Sequence, residues 1–352
     1  MRKFLLGLII CLTCLLSAGC NYIELNDIGI VTLMAIKWDN NEYNVTLELR
    51  ENIKDDIDAS TVHSASGSSL EKAIQELSLK IDKNLYFIDL NVILIDQDTA
   101  NNKMNFIIDY LTRDISFGSN FNIVIDDNYK ETIKFLNEKN KIAGEYIKNI
   151  FNNSTNNIIN IKFDEFLKLY LNDYKDIILP VGKVQEDDYI INEAIVFSGN
   201  KATEVLDLNM IQSFNLLNNV NTNYYYKTIY DSNMLVFELT NHKVKMTYDD
   251  KLLIDIKIDG YFSQLEDINI SKNDVNKYVL NNLNNSIKKD VDDLIRLSID
   301  SNSDFLGIKK IYFNKTRKEI NNIKNIDYII NIQTNLSHDG LIFKTIGDKY
   351  EK

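Results

Sequence analysis

Apolar positions recur along this chain at two spacings, and the switch between them marks out its elements. Over residues 28–36 (IGIVTLMAI) they run almost unbroken, the pattern of a strand buried on both faces. Trp38-Asp39-Asn40-Asn41 supplies turn chemistry. Tyr43, Val45, Leu47 and Leu49 then alternate with polar residues, as in a half-buried partner strand, so the two runs predict a hairpin. Residues 54–68 are polar, with Asp55, Asp56, Asp58 and several serines, and read as a loop. Ser68 and Glu71 have the Ser-x-x-Glu spacing of a capping box, and Leu70, Ala73, Ile74, Leu77 and Ile81 follow at helical spacing. Residues 85–95 (LYFIDLNVILI) read as one central strand, Met104, Ile107, Ile108 and Leu111 as a helix face, 121–125 as a short strand, and Ile133 and Leu136 as part of a further helix. Strands and helices therefore alternate over 22–137, as in an α/β or α+β domain.

Residues 141–172 predict two helices. Ile142, Tyr146, Ile147 and Ile150 share one face, Phe163, Phe166, Leu167 and Tyr170 the next, and 152–157 break them. Strand patterns return at 189–197, turn at Gly199-Asn200, resume from Val205, and continue over 234–239, 244–248 and 252–262. The longest helix is expected at about 271–299, with Ser271 and Asp274 as capping residues. Its stripe of Val275, Val279, Leu283, Ile287, Val291 and Leu294 suits a helix roughly 40 Å long packed across a sheet. Asp304-Phe305-Leu306-Gly307 is a break, 326–334 (IDYIINIQT) a late strand, and His338-Asp339-Gly340 a closing turn. The fold class is α+β, a multi-domain chain of mixed sheets flanked by helices with a long helix near its C-terminus. Its parts read as a signal segment at 1–19, an N-terminal α/β domain at 20–137, a mainly helical middle segment at 138–195, and a C-terminal α+β domain at 196–352.

The first twenty residues stand apart. Arg2 and Lys3 precede the apolar run 4–16 (FLLGLIICLTCLL), and Ser17-Ala18-Gly19 are small, the pattern of a secretory signal peptide. The run falls short of the about 20 apolar residues of a membrane-spanning helix. A cysteine directly after small residues resembles the bacterial lipobox, although Ser17 stands where leucine is usual. On this reading the chain is cut between Gly19 and Cys20, and the Cys20 thiol carries the lipid, whose chains contribute about 0.8 kcal/mol per buried CH₂. Cys11 and Cys14 lie within the segment removed, so the remaining body has no partner for a disulfide or a cysteine metal site.

Charge changes the picture in one respect. Removing residues 1–19 removes Arg2 and Lys3 and no acid, which takes the formal charge from −12 to −14. Such a balance opposes nucleic-acid binding and flat adsorption on an anionic bilayer, both of which rely on Lys and Arg. Membrane attachment then depends on the lipid.

The search for chemistry yields little. His63, His242 and His338 are far apart, and no His-Glu-x-x-His zinc motif, Gly-x-Ser-x-Gly elbow or phosphate-cradling glycine loop occurs. Acid pairs at Asp55-Asp56, Asp187-Asp188, Asp249-Asp250 and Asp292-Asp293 lack EF-hand spacing, and in a chain with 51 acids such pairs arise by chance on solvated faces. In a strand, Tyr224-Tyr225-Tyr226 would send alternate rings to opposite faces. The sequence nominates no catalytic residue, no metal ligand, no cofactor and no ligand contact. Its candidate site residues are Cys20 for lipidation, with Gly19 before the cut.

Several features fall in order. Glu24-Leu25-Asn26-Asp27-Ile28-Gly29-Ile30-Val31 follows the lipobox cysteine; Ile36-Lys37-Trp38-Asp39 ends the first strand and Tyr43-Asn44-Val45-Thr46 begins the second. Gly67-Ser68-Ser69-Leu70 with Ala73, Leu85-Tyr86 with 92–95, Leu111-Thr112-Arg113-Asp114, the long helix, 304–307 and Gly340 complete the series. In this order they resemble the C subunit of spore nutrient germinant receptors, the Ger(x)C family. The resemblance implies a three-domain α+β lipoprotein on the outer face of the spore inner membrane. It also implies a signalling component rather than an enzyme, working with two integral-membrane subunits, A and B, in nutrient-triggered germination. Two other readings stand beside it: a solute-binding lipoprotein of a transporter, which needs two similar lobes around a hinge, and a surface hydrolase with a spatially assembled triad or acid pair.

Overall fold

The computed structural model describes residues 27–51, 59–153, 157–172, 174–231, 233–265 and 273–337. The uninterrupted apolar run becomes β1 (Ile28–Asp39), paired antiparallel with β2 (Glu42–Glu51). The two-residue turn between them holds Asn40 and Asn41 at φ 50° and 63°, left-handed values that asparagine tolerates and a tight hairpin requires. The pairing slips between Val31 and Leu33, leaving Thr32 as a bulge residue; Val31 and Leu33 consequently face opposite sides of the sheet.

The stretch expected as a loop at 54–68 is in large part a strand, β3 (Ala59–Gly67), antiparallel to β2 at the sheet edge. Small polar residues are acceptable there because one side of an edge strand faces water. Residues 52–58, including Asp55-Asp56, lie outside the described residues. Helix α1 (Leu70–Ser78) starts one residue later than the capping-box spacing implies: Ser69, not Ser68, is the cap, its side chain accepting from Lys72 N at 3.1 Å. Replacing Ser69 by alanine is expected to cost about 1 kcal/mol in urea unfolding, while Ser68→Ala changes little.

The single strand expected over 85–95 is divided. β4 (Asn84–Tyr86) pairs with Ile28–Ile30 and β5 (Val92–Ile95) with Leu33–Ile36, both parallel to β1, and Phe87 and Leu90 turn into the core between them. The chain continues through α2 (Gln97–Arg113), β6 (Asn122–Ile125), α3 (Tyr129–Glu138), α4 (Ala143–Asn152) and α5 (Phe163–Tyr170). It then adds β7 (Ile177–Gln185), β8 (Asp188–Ser198) and β9 (Lys201–Leu206). The nine-stranded sheet has the order β3-β2-β1-β5-β6-β7-β8-β9, with β4 beside β1: parallel in the centre and closed by antiparallel strands at both edges. It runs on past residues 138 and 195 through β9. β7 meets β6 through one residue pair, Ile125 with Val181, next to Pro180, which has no N–H to give.

Both faces of the centre are covered. Val31, Met34, Ile36, Ile93 and Ile95 pack with the apolar faces of α1 and α2, while Leu33, Ala35, Val92, Leu94 and Val124 lie under α3 and α4. The continuous apolar composition of β1, β5 and β6 follows from this double burial.

The second sheet has the order β10 (Tyr224–Tyr230), β11 (Asn233–Asp249), β12 (Lys251–Leu265), β13 (Tyr328–Leu336), and α6 (Leu208–Leu217) precedes it. β12 and β13 are parallel, joined across α7 (Asn273–Ser301) and α8 (Ile308–Thr316). The expected stripe of α7 is buried at Val279, Leu283, Ile287, Val291 and Leu294. The two strands expected at 234–239 and 244–248 are one, bent by irregular pairing after Val236 and Leu239. Tyr224 and Tyr226 point inward and Tyr225 outward, as strand alternation requires. The halves thus match the expected α+β class, and apolar side chains of both join one continuous core.

Candidate functional site

Cys20 and Gly19 lie outside the described residues, as do His338 and Gly340. The other nominated residues stay dispersed. His63 sits on β3 opposite Leu47. His242 on β11 meets the ring of Tyr224 edge-on at 5.2 Å, and burial pushes its pKa below the ordinary value. Asp187 and Asp250 are exposed in turns, Asp188 and Asp249 are exposed at the adjoining strand ends, and Asp292 accepts from Tyr328 Oη at 2.6 Å and Arg296 Nε at 2.7 Å. Among the described residues no group of three His, Cys, Asp or Glu side chains could hold a metal, and no helix is long and apolar enough to cross a membrane.

Three constellations that the pattern of the chain does not announce carry the polar chemistry. The first surrounds Glu48, which is fully buried in β2. Its Oε2 accepts from Thr32 Oγ1 at 2.9 Å and Gly144 N at 2.8 Å; its Oε1 accepts from Ser60 Oγ and Ala143 N, both at 2.8 Å. Helix α4 has no side-chain cap of its own, so a carboxylate from the sheet satisfies its first N–H groups at the positive end of the helix dipole. The approach is close: a Cβ on Gly144 would lie 2.3 Å from Thr32 O. The bulge at Thr32, the edge strand and the helix start are locked together by one side chain.

The second constellation lies at the carboxyl ends of the parallel strands, where open α/β sheets form their crevices. A 370 Å³ cavity there is lined by Lys37, Asp39, Asp127, Tyr129 and Lys130, among others. Asp126 accepts from Asn128 N at 2.9 Å and Thr132 Oγ1 at 2.8 Å, and burial pushes its pKa up to about 7. Burial also raises Asp96, whose Oδ2 lies 3.7 Å from Lys37 Nζ.

The third constellation joins the two sheets. Asp304 accepts from Ile308 N at 2.6 Å and Lys309 N at 2.8 Å, so it starts α8 from behind a Gly307 held at φ 76°. Asp304 N donates in turn to Asp176 Oδ2 at 2.7 Å, and Asp176 N to Asp304 O at 3.0 Å. Beside this joint Lys175 donates to Asn218 Oδ1 at 3.2 Å and lies over the Phe214 ring, and burial lowers its pKa. A 410 Å³ cleft opens here, lined by Met104, Phe166, Tyr170, Lys175, Asp176 and Lys309 among others.

Sequence reasoning notes the break at 304–307 but not its partners, because Asp176 and Asp304 are 128 positions apart. Glu48 occupies an alternating position in a half-buried strand, where an acid reads as solvent-facing. The Thr32 bulge and the unfavourable packing of Gly144 against anything larger are tertiary facts without a local signal.

Comparison with known proteins gives a consistent set. Residues 21–184 match the family model described as the spore germination protein N-terminal domain, and residues 192–340 the model described as spore germination B3/GerAC like, C-terminal. The spore germination protein KC of Bacillus subtilis (strain 168) is 25% identical over 187 residues, 49% of this chain and 45% of that protein. The alignment thus spans less than half of that relative. The crystal structure of the GerBC protein superposes with a TM-score of 0.54 at 15% identity, covering 86% of this chain and 96% of that one, a likeness of fold. The gap between the two family matches falls on the β7–β8 turn, inside the nine-stranded sheet.

Proposed function

Because the chain belongs to the spore germination protein family, of the GerAC type, we propose that it is the lipid-anchored C subunit of a nutrient germinant receptor. The family consists of receptor components and not enzymes. The observation that carries the reading is the consecutive match of both family models along one chain.

In this reading Cys20 carries the lipid and the body stands on the outer face of the spore inner membrane, beside the integral A and B subunits. The tether replaces a search through solution by a search within its own reach, so weak contacts with those subunits suffice. The body offers a rigid docking part: two sheets sharing one core, with helix starts pinned by buried carboxylates. A solute-binding lipoprotein of a transporter would need two similar lobes. The halves here are unlike, a nine-stranded mixed sheet and a four-stranded sheet with a 29-residue helix.

Spores lacking the gene are expected to lose dipicolinic acid release in response to a nutrient mixture and to keep it for a trigger that bypasses nutrient receptors. Retained nutrient response, with no copurification of the protein with A and B subunits, would remove the receptor role. Spores carrying Cys20→Ala at wild-type abundance are expected to respond poorly; a normal response would remove the tether.

A further inference from the structure

We infer that the end of the nine-stranded sheet where β1 begins is a membrane-contact tip that seats in the interface of a lipid bilayer. The inference rests on the lipid at Cys20 and concerns which face of the body that lipid brings down.

Strand direction assembles the tip. β1, β4, β5 and β6 are parallel and enter from the same end of the sheet, β4 level with Ile28 at Asn84, and β5 and β6 level with Leu33 at Val92 and Asn122. Helices α1 and α2 run back towards it and deliver Leu79 and the loop 114–120, while the chain between β4 and β5 delivers Ile88. These are the large apolar side chains that a folded domain ordinarily hides: Ile115 is 97% exposed, Leu79 81% and Ile88 54%.

Their exposure is built in. Behind Ile115, Asp114 accepts from Ser116 N at 2.9 Å and Phe117 N at 3.3 Å, closing a tight turn that holds the isoleucine outward. Phe117 packs on Phe87 with ring centroids 4.6 Å apart, which ties the Ile115 loop to the Ile88 segment. Gly118 lies against Ile88 O, which a Cβ would approach to 3.0 Å. The apolar tips therefore project from a packed base.

Charge and reach select the occupant. In the segments 79–91 and 113–121, which carry the apolar tips, Lys80, Lys83 and Arg113 are matched by Asp82, Asp89 and Asp114; the acids at this end of the sheet fall instead at Asp27 and around the β2–β3 connection, beside Glu51. The two charge-balanced segments are the part of this end that an anionic surface does not repel, and the lipid on Cys20 supplies the attraction. Six residues lie between Cys20 and Asp27, seven residue steps in all. They span at most about 25 Å, so a lipid on Cys20 keeps the start of β1, and the tip around it, close to the membrane. Isolated aliphatic side chains entering the headgroup region gain by leaving water, and their number is too small to hold the protein without the lipid.

The test uses residues 20–352 coupled through the Cys20 thiol to a maleimide phospholipid in phosphatidylcholine vesicles containing some phosphatidylglycerol and brominated acyl chains. Ile115→Trp is compared with Glu42→Trp, the exposed first residue of β2, opposite Asp39 at the far end of the sheet, with Trp38 common to both. The introduced tryptophan of the Ile115 variant is expected to shift to the blue and to be quenched several-fold more than that of the Glu42 variant. Equal quenching would overturn the tip, as would protection that appears only when membrane subunits are added. Chemical coupling makes this readout independent of natural lipidation. Labelled palmitate entering the wild-type chain but not Cys20→Ser reports on the lipid separately.

Discussion

Replacing Glu48 by alanine is expected to destabilise the protein by about 3–5 kcal/mol, seen as a lower urea midpoint for residues 20–352. The size follows from what is left behind. Four donors end on this one carboxylate, two of them the N–H groups of Ala143 and Gly144 at the start of α4. Alanine has no acceptor, and the site is fully buried, so these groups lose both the carboxylate and any access to bulk water. Glu48→Gln keeps the shape and one acceptor oxygen, but turns an amide N–H₂ towards donors, and should fall between the two. A midpoint for Glu48→Ala within about 1 kcal/mol of wild type would mean that water or a shift of α4 satisfies the helix start, and that the cage is dispensable.

The second large effect is on pH. Asp126 ionises near 3.8 in an exposed setting and at about 7 in the folded protein, because burial disfavours its charge. Between these values the folded state holds a proton that the unfolded state has released. The resulting stabilisation is full below about pH 4 and is lost as pH rises through 7, on the order of 4 kcal/mol in all. Asp96, Asp290 and Asp304 are raised by burial too, and act in the same sense. Asp126→Asn can still accept from Asn128 N and bond Thr132, yet it has no charge to bury. Urea unfolding at pH 4.5 and 7.5 is expected to show a marked fall in the wild type and a much smaller one in Asp126→Asn. Equal falls in the two proteins would place the pH sensitivity elsewhere.

What the sequence made legible was local or periodic. The β1–β2 hairpin followed from an apolar run, an Asn-Asn turn and an alternating partner, and the 29-residue α7 from its stripe between Val275 and Leu294. Elements whose identity depends on a neighbour were missed. β7 contains Pro180 and shares a single ladder pair with β6, so its pattern is poor, and it exists because β8 pairs along its whole length. α6 was hidden within an expected strand region, although Asp207 carries a cap signal by accepting from Met210 N at 2.9 Å. α8 is short and starts from Asp304, a side chain that lies before the glycine breaking the chain. The polar constellations were invisible for a related reason. Glu48, Asp126 and Asp304 are ordinary acids in the chain, and only their burial and their backbone donors give them a role.

The turn at Glu186 and Asp187 has a bearing on inheritance. It separates the two stretches recognised as distinct family models, yet the strands on either side of it are neighbours in one sheet. A fragment ending at 184 would present β7 as a raw edge, with Ile177 and Leu179 stripped of their partners Phe197 and Ile195. The other fragment would begin with β8 and β9, a hairpin with no sheet to join. The two halves are therefore not cassettes that recombination can shuffle. A crossover between them yields a folded protein only when the incoming half brings an edge that fits, which favours their descent as a single gene.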